Sequence, residues 1–132
     1  MKRSLVVEDD ELTAKLLIMI LEDNGYIVDW FPDGHQAIEA AYNAIMDKDH
    51  YKLILCDIMI PNLDGHSVII KIRELEKNAN LSKGEKSDIF IVSSIDDPTN
   101  VAIGKFKGQI AGYITKPFSR ADITNELVKL ER

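Results

Sequence analysis

Five short β-like runs recur along the chain, at 4–7, 27–31, 53–56, 89–93 and 112–115, and longer stretches with helical spacing separate them. That alternation constrains the fold more than any other feature. Leu12, Leu16, Leu17, Ile20 and Leu21 mark the first helix, which stops near Asn24-Gly25. Ala37, Ile38, Ala41 and Ile45 mark the second, opened by Asp33-Gly34, and Val68, Ile69, Ile72 and Leu75 mark the third. A weaker fourth helix begins at Asp97-Pro98, an N-cap with proline at the first helical position. Ser119 with Asp122 forms a capping-box pattern that opens the fifth, with Ile123, Leu127 and Leu130 on one side. Strands alternating with helices imply a parallel sheet covered on both faces. With right-handed crossovers the economical result is a doubly wound α/β domain of five strands and five helices, order 2-1-3-4-5. At 132 residues, 45% of them hydrophobic, the chain suits one core, so residues 1–132 are expected to form a single domain. The polar stretch 78–88 reads as a surface connector.

The third run carries the chemistry. Leu53-Ile-Leu-Cys leads directly to Asp57, and Pro61 with Asp64-Gly65 then turns the chain away. Burying an acid inside a strand is costly unless it stands at the open end, and the carboxyl ends of parallel strands are where α/β proteins bind ligands. The other strand ends add Glu8-Asp9-Asp10, Ser93-Ser94 and Lys116-Pro117. Strands 1 and 3 are neighbours in the expected order, so their acids share one pocket. Crowded carboxylates raise each other's pKa unless a cation relieves them, and Mg²⁺ suits such hard oxygen donors. His35, His50 and His66 are scattered and read as surface residues, with no His/Cys cluster for zinc. A carboxylate can attack phosphorus, and a metal, a lysine and a hydroxyl can neutralise and position the transferred group. The spacing points to a cation site and permits phosphorylation.

The set Glu8-Asp9, Asp57 with Pro61 and Asp64-Gly65, Ser93, and Lys116-Pro117-Phe118 resembles the receiver domain of two-component response regulators, over about residues 4–130. The resemblance implies a flavodoxin-like fold. It makes Asp57 the phosphoacceptor, Asp9 a direct Mg²⁺ ligand and Glu8 a neighbour acting through water. Met59 would offer its backbone carbonyl to the metal. Ser93 would be the switch hydroxyl, Lys116 the lysine that pairs with the phosphoryl group and Tyr113 the aromatic switch. A tyrosine packed at a strand edge accounts for Tyr113 equally well. The Lys116–Pro117 bond is often cis in the family. The acid pair can be Glu8-Asp9 or Asp9-Asp10; Asp9 belongs to both, and Asp10 also suits a helix cap. Cys56 faces away from the acceptor and reads as a packed thiol. Trp30 and Phe118 read as packing residues. Met59 and Ile95, two residues beyond Asp57 and Ser93, are both apolar, which is expected to hinder the hydrolytic water and lengthen the phosphorylated lifetime.

The implied function is to accept a phosphoryl group from a sensor histidine kinase or histidine phosphotransfer protein in a Mg²⁺-dependent step. The domain would catalyse only its own phosphorylation and dephosphorylation. The face of the fourth helix, fifth strand and fifth helix would then meet a second copy or a downstream effector. Two other readings differ in class: a Mg²⁺-dependent phosphatase working through an aspartyl intermediate, and an interaction module that is never phosphorylated. Met59 stands where the phosphatase would carry its general acid. A net charge of -6 argues against direct nucleic-acid contact. One cysteine, and no run long enough for a signal peptide or a membrane span, fit a cytoplasmic protein.

Overall fold

The computed structural model describes residues 2–94 and 109–130. Its strands are β1 (Lys2–Val7), β2 (Tyr26–Phe31), β3 (Leu53–Asp57), β4 (Asp88–Ser94) and β5 (Gly112–Lys116). All pairings are parallel, in the expected order β2-β1-β3-β4-β5. The helices among the described residues are α1 (Glu11–Asp23), α2 (Gly34–Met46), α3 (Gly65–Asn78) and α4 (Arg120–Leu130), with a short 3-10 turn at Lys83–Glu85. The helix expected from Asp97-Pro98 lies outside the described residues, as does Ile95. Four of the five expected helices are therefore described, and the one expected fifth in the chain is α4. None of the described helices is long and apolar enough to cross a membrane.

Side-chain alternation along the strands divides the core into two layers. Leu5, Val7, Ile54, Cys56, Ile89 and Ile91 pack against α2 and α3. Val6, Leu53, Leu55, Phe90 and Val92 pack against α1 and α4. Every residue of β3 is buried, which explains its unbroken apolar run. Cys56 lies in the α2/α3 layer and is fully buried, so burial pushes its thiol pKa well up and leaves it an inert core group.

Helix α1 buries Ala14, Leu17, Ile20 and Leu21, whereas Leu12 and Leu16 are exposed. The first helix is thus leucine-rich on two faces, and only one of them meets the sheet. The connector after α3 is also less solvated than its composition implies. Ser87 is buried and donates its N–H to Glu76 at 2.7 Å, and Arg73 donates to the other oxygen of Glu76 at 2.6 Å. Arg73 also holds the carbonyl of Gln109, at 2.6 and 2.9 Å, tying α3 to the approach to β5. At the same end of the sheet Arg3 bonds Asp29 and Asp49 and lies over the Tyr51 ring.

Caps fix where the helices begin, and so where the strand ends open. Asp10 accepts from the Thr13 N–H, Asp33 from His35 and Asp64 from Ser67. Ser119 and Asp122 exchange side-chain and backbone bonds at 2.8 and 3.1 Å, the expected capping box. Gly65 has a further role, because its N–H donates to the Ile58 carbonyl and α3 starts hard against the end of β3. A Cβ there would stand 2.3 Å from the Asp57 carbonyl oxygen and 2.7 Å from the Ile58 Cα. Both are backbone atoms and cannot swing aside. Gly65→Ala should therefore lose about 1–3 kcal/mol in urea denaturation. Gly84→Ala, with nothing within 4 Å of the new methyl, should change stability far less.

Candidate functional site

Asp57 is the last residue of β3 and only 5% exposed. One carboxylate oxygen accepts the Met59 N–H at 2.9 Å, and the other accepts the Lys116 ammonium at 2.7 Å. Lys116 ends β5, beyond β4, so its long side chain crosses the tip of β4 to reach β3. The tip is built from small residues, Ser93 and Ser94, and Ser94 is the register partner of Lys116. The same ammonium reaches Glu8 at 2.6 Å. Glu8 follows β1 directly and is 1% exposed, and its second oxygen accepts the Asp10 N–H at 3.3 Å.

Asp9 stands exposed at the mouth of this group. Oxygens of Glu8, Asp9 and Asp57 all lie within 4.8 Å of one another. Asp10, the other candidate for the pair, caps α1 and receives both the N–H and the hydroxyl of Thr13. The mouth adjoins an open concavity of about 540 Å³ lined by Asp9, Met59, Asp64 and His66 among others.

The remaining candidates sit around this core. Ser93 is buried on β4, one position beyond Val92, the register partner of Asp57. Met59 has its amide committed to Asp57 and its side chain 62% exposed at the rim. Tyr113 on β5 is partly exposed and lines a groove with Asp122, Asn125 and Glu126. Phe118 packs against the α1/α4 core, and the Lys116–Pro117 peptide is cis. His35 is exposed as expected, but His50 and His66 are partly buried, the one directly before the buried Tyr51 and the other in the first turn of α3.

Two contacts go beyond what the sequence pattern implies. The Trp30 indole N–H donates to the Glu8 carbonyl at 2.7 Å, so this ring does more than pack. The Asn62 side chain, in the turn after Asp57, bonds Asp33, the cap of α2. A lone tryptophan one residue before the end of β2 is the available signal for the first; nothing local marks the second.

Three carboxylates and one ammonium leave two formal negative charges, which a divalent cation balances. Every donor is a hard carboxylate oxygen, the set that Mg²⁺ prefers. Chemically, then, the residues present fit that ion.

Known proteins place the chain. The response regulator receiver domain matches residues 4–128. The chain belongs to that family. It is 30% identical over its whole length to the transcriptional regulatory protein PcoR of Escherichia coli, covering 52% of that protein. It is also 29% identical to the response regulator RppA of Synechocystis, covering 98% of the chain and 50% of that protein. The receiver domain therefore spans about half the length of these curated relatives. Among solved structures, the receiver domain of the sensor histidine kinase PA1611 from Pseudomonas aeruginosa is 26% identical, with a TM-score of 0.74 and coverage of 97% and 95%. That protein carries a magnesium ion coordinated in its active site cleft. The chemotaxis protein CheY4 of Vibrio cholerae shares the fold at a TM-score of 0.76 and 22% identity, with 98% of each chain covered.

The receiver's electrostatics follow from burial. Desolvation pushes the Glu8 carboxyl up from 4.5 to about 7, and the neighbouring Asp57 acts the same way against the pull of Lys116. Burial disfavours the charged Lys116, yet its bonds to Asp57 and Glu8 outweigh this and leave its pKa raised. Two carboxylates thus compete for one ammonium. Because the folded pKa of Glu8 exceeds its unfolded value, its stabilising contribution is complete below pH 4.5 and lost as pH rises through about 7. In metal-free denaturation the wild type should lose stability relative to Glu8→Gln across that window. Saturating Mg²⁺ should remove the difference.

Proposed function

We propose that this two-component receiver domain accepts a phosphoryl group onto Asp57 from the phosphohistidine of a sensor kinase or phosphotransfer protein. The observation that carries this reading is the single ammonium held 2.7 Å from Asp57 and 2.6 Å from Glu8, with the Asp9 carboxylate in the same cluster. An Asp57 carboxylate oxygen attacks phosphorus. The phosphorus–nitrogen bond breaks, and the departing imidazole nitrogen keeps the electron pair. The Met59 N–H fixes the orientation of the attacking carboxylate. Lys116 neutralises charge on the transferred group, and the Ser93 hydroxyl, drawn toward it, donates a hydrogen bond. Asp9, Asp57 and the Met59 carbonyl would hold Mg²⁺, with Glu8 acting through water, and the ion would supply the remaining charge neutralisation.

Before transfer Lys116 is shared between Glu8 and Asp57, and the new phosphoryl oxygens give it a stronger partner. That difference in partners is what shifts the domain between two surfaces, with Ser93 and Tyr113 as switch residues. The output face combines β5, α4 and the helix expected from Asp97-Pro98. A second copy or an effector would bind there, and the chain's acidic charge makes direct nucleic-acid contact by this domain unfavourable. The donor side is marked by Leu12, Leu16 and Met19, an exposed apolar stripe at helical spacing on α1. This helix starts at the acidic pocket, so a helical donor seated on the stripe brings its histidine toward Asp57. The working compartment on this reading is the cytoplasm, where the kinase's phosphoryl donor is found.

A phosphatase acting on external esters is less well served, since Met59 supplies no acid for the leaving group. Asp57→Asn should abolish labelling by both a phosphohistidine donor and a small acyl phosphate, and full labelling of that variant would refute the assignment. Met59→Asn, which places a polar group at the rim beside the hydrolytic water, should speed loss of label severalfold. Decay that stays equal or slows would show that the apolar side chain is no brake.

A further inference from the structure

We infer that Trp30 is a positioning residue, whose indole N–H holds the Glu8–Asp9 peptide in the orientation that turns both carboxylates toward Asp57. The inference rests on the reading of these acids as a Mg²⁺ site. Strands β1 and β2 are in parallel register up to Val7 opposite Phe31, and one more bond follows, from the Glu8 N–H to the Phe31 carbonyl at 3.2 Å. By register Glu8 then faces Pro32. The next bond of a parallel ladder would carry the Glu8 carbonyl to the amide of Asp33.

By that point β2 has ended. Asp33 is the N-cap of α2, its carboxylate accepts the His35 N–H, and the backbone has turned toward the helix. The Glu8 carbonyl is instead met by a side chain, the Trp30 indole, at 2.7 Å. The ring is itself anchored, being partly buried against the α1/α4 core that also holds Val28 and Phe118.

This one bond governs both acids. The Glu8 carbonyl and the Asp9 amide belong to a single planar unit, so fixing the direction of the carbonyl fixes the plane from which both side chains depart. Glu8 has further restraints in Lys116 and the Asp10 N–H. Asp9 is different. Among the described residues no hydrogen bond or ion pair restrains its exposed carboxylate, so the backbone, which directs its Cα–Cβ bond, is what keeps it within reach of Asp57. A phenylalanine would fill only part of the same space and leave the carbonyl without the Trp30 donor.

The test separates the N–H from the ring. Substituting Trp30 by 3-benzothienylalanine puts sulfur where the indole N–H stands and keeps the shape, and Trp30→Phe provides a genetically encoded companion. Mg²⁺ is titrated calorimetrically into each folded protein. Both variants should bind Mg²⁺ about three- to tenfold more weakly than wild type, the range expected for one lost hydrogen bond. Equal affinities, even with a lower unfolding temperature, would make Trp30 a packing residue and overturn the inference while leaving the metal site standing. A wild type that takes up no Mg²⁺ would overturn the site reading and this inference together.

Discussion

An ammonium shared by two buried carboxylates organises this molecule. Lys116 ends an edge strand, Asp57 ends an interior strand and Glu8 directly follows the interior strand beside it, and the three meet only because the sheet brings the carboxyl ends of its strands to one side. A buried ion pair contributes little net stability once desolvation is counted. Here the count is also unbalanced, with one cation for two anions. The site is therefore left short of positive charge, and the ligand that relieves it is chosen by charge and by oxygen chemistry. The stabilising apolar layers on both sheet faces bear the cost of holding it so.

The rigid surroundings matter as much as the charges. Three helices begin at this end of the sheet with an aspartate cap, and Gly65 seats α3 directly on the Asp57 backbone. The turn after Asp57 is bound back to α2 through Asn62 and Asp33. Asp57 consequently has a fixed backbone and a side chain gripped at both oxygens. The exposed parts, Asp9 and Met59, lie toward solvent.

Much of this was legible in the residues. Strand-by-strand apolar runs, caps and the strand-end acids are local signals, and each reports its own element faithfully. The strand order followed from general rules of α/β winding. What was not legible depends on which of two possible faces meets the sheet, or on side chains meeting across the fold. Leu12 and Leu16 repeat with helical spacing as well as Leu17 does, yet only Leu17 is buried. Glu76 looks like any helix-surface glutamate until Arg73 and the Ser87 amide close around it. Trp30 reads as bulk in the sequence because nothing local shows that its N–H ends beside the Glu8 carbonyl.

The place of β1 has a further consequence for how the chain is made. β1 leaves a ribosome before β2 and β3 and sits between them, so residues through α3 can assemble three strands with their helices before β4 exists. That intermediate carries β3 as a bare edge, apolar on both faces and built to be covered. Such an edge invites pairing with a neighbouring nascent chain. The same uninterrupted run that delivers Asp57 to its site is thus the segment most exposed to mispairing while synthesis is incomplete, and the prompt arrival of Asp88–Ser94 is what closes that window.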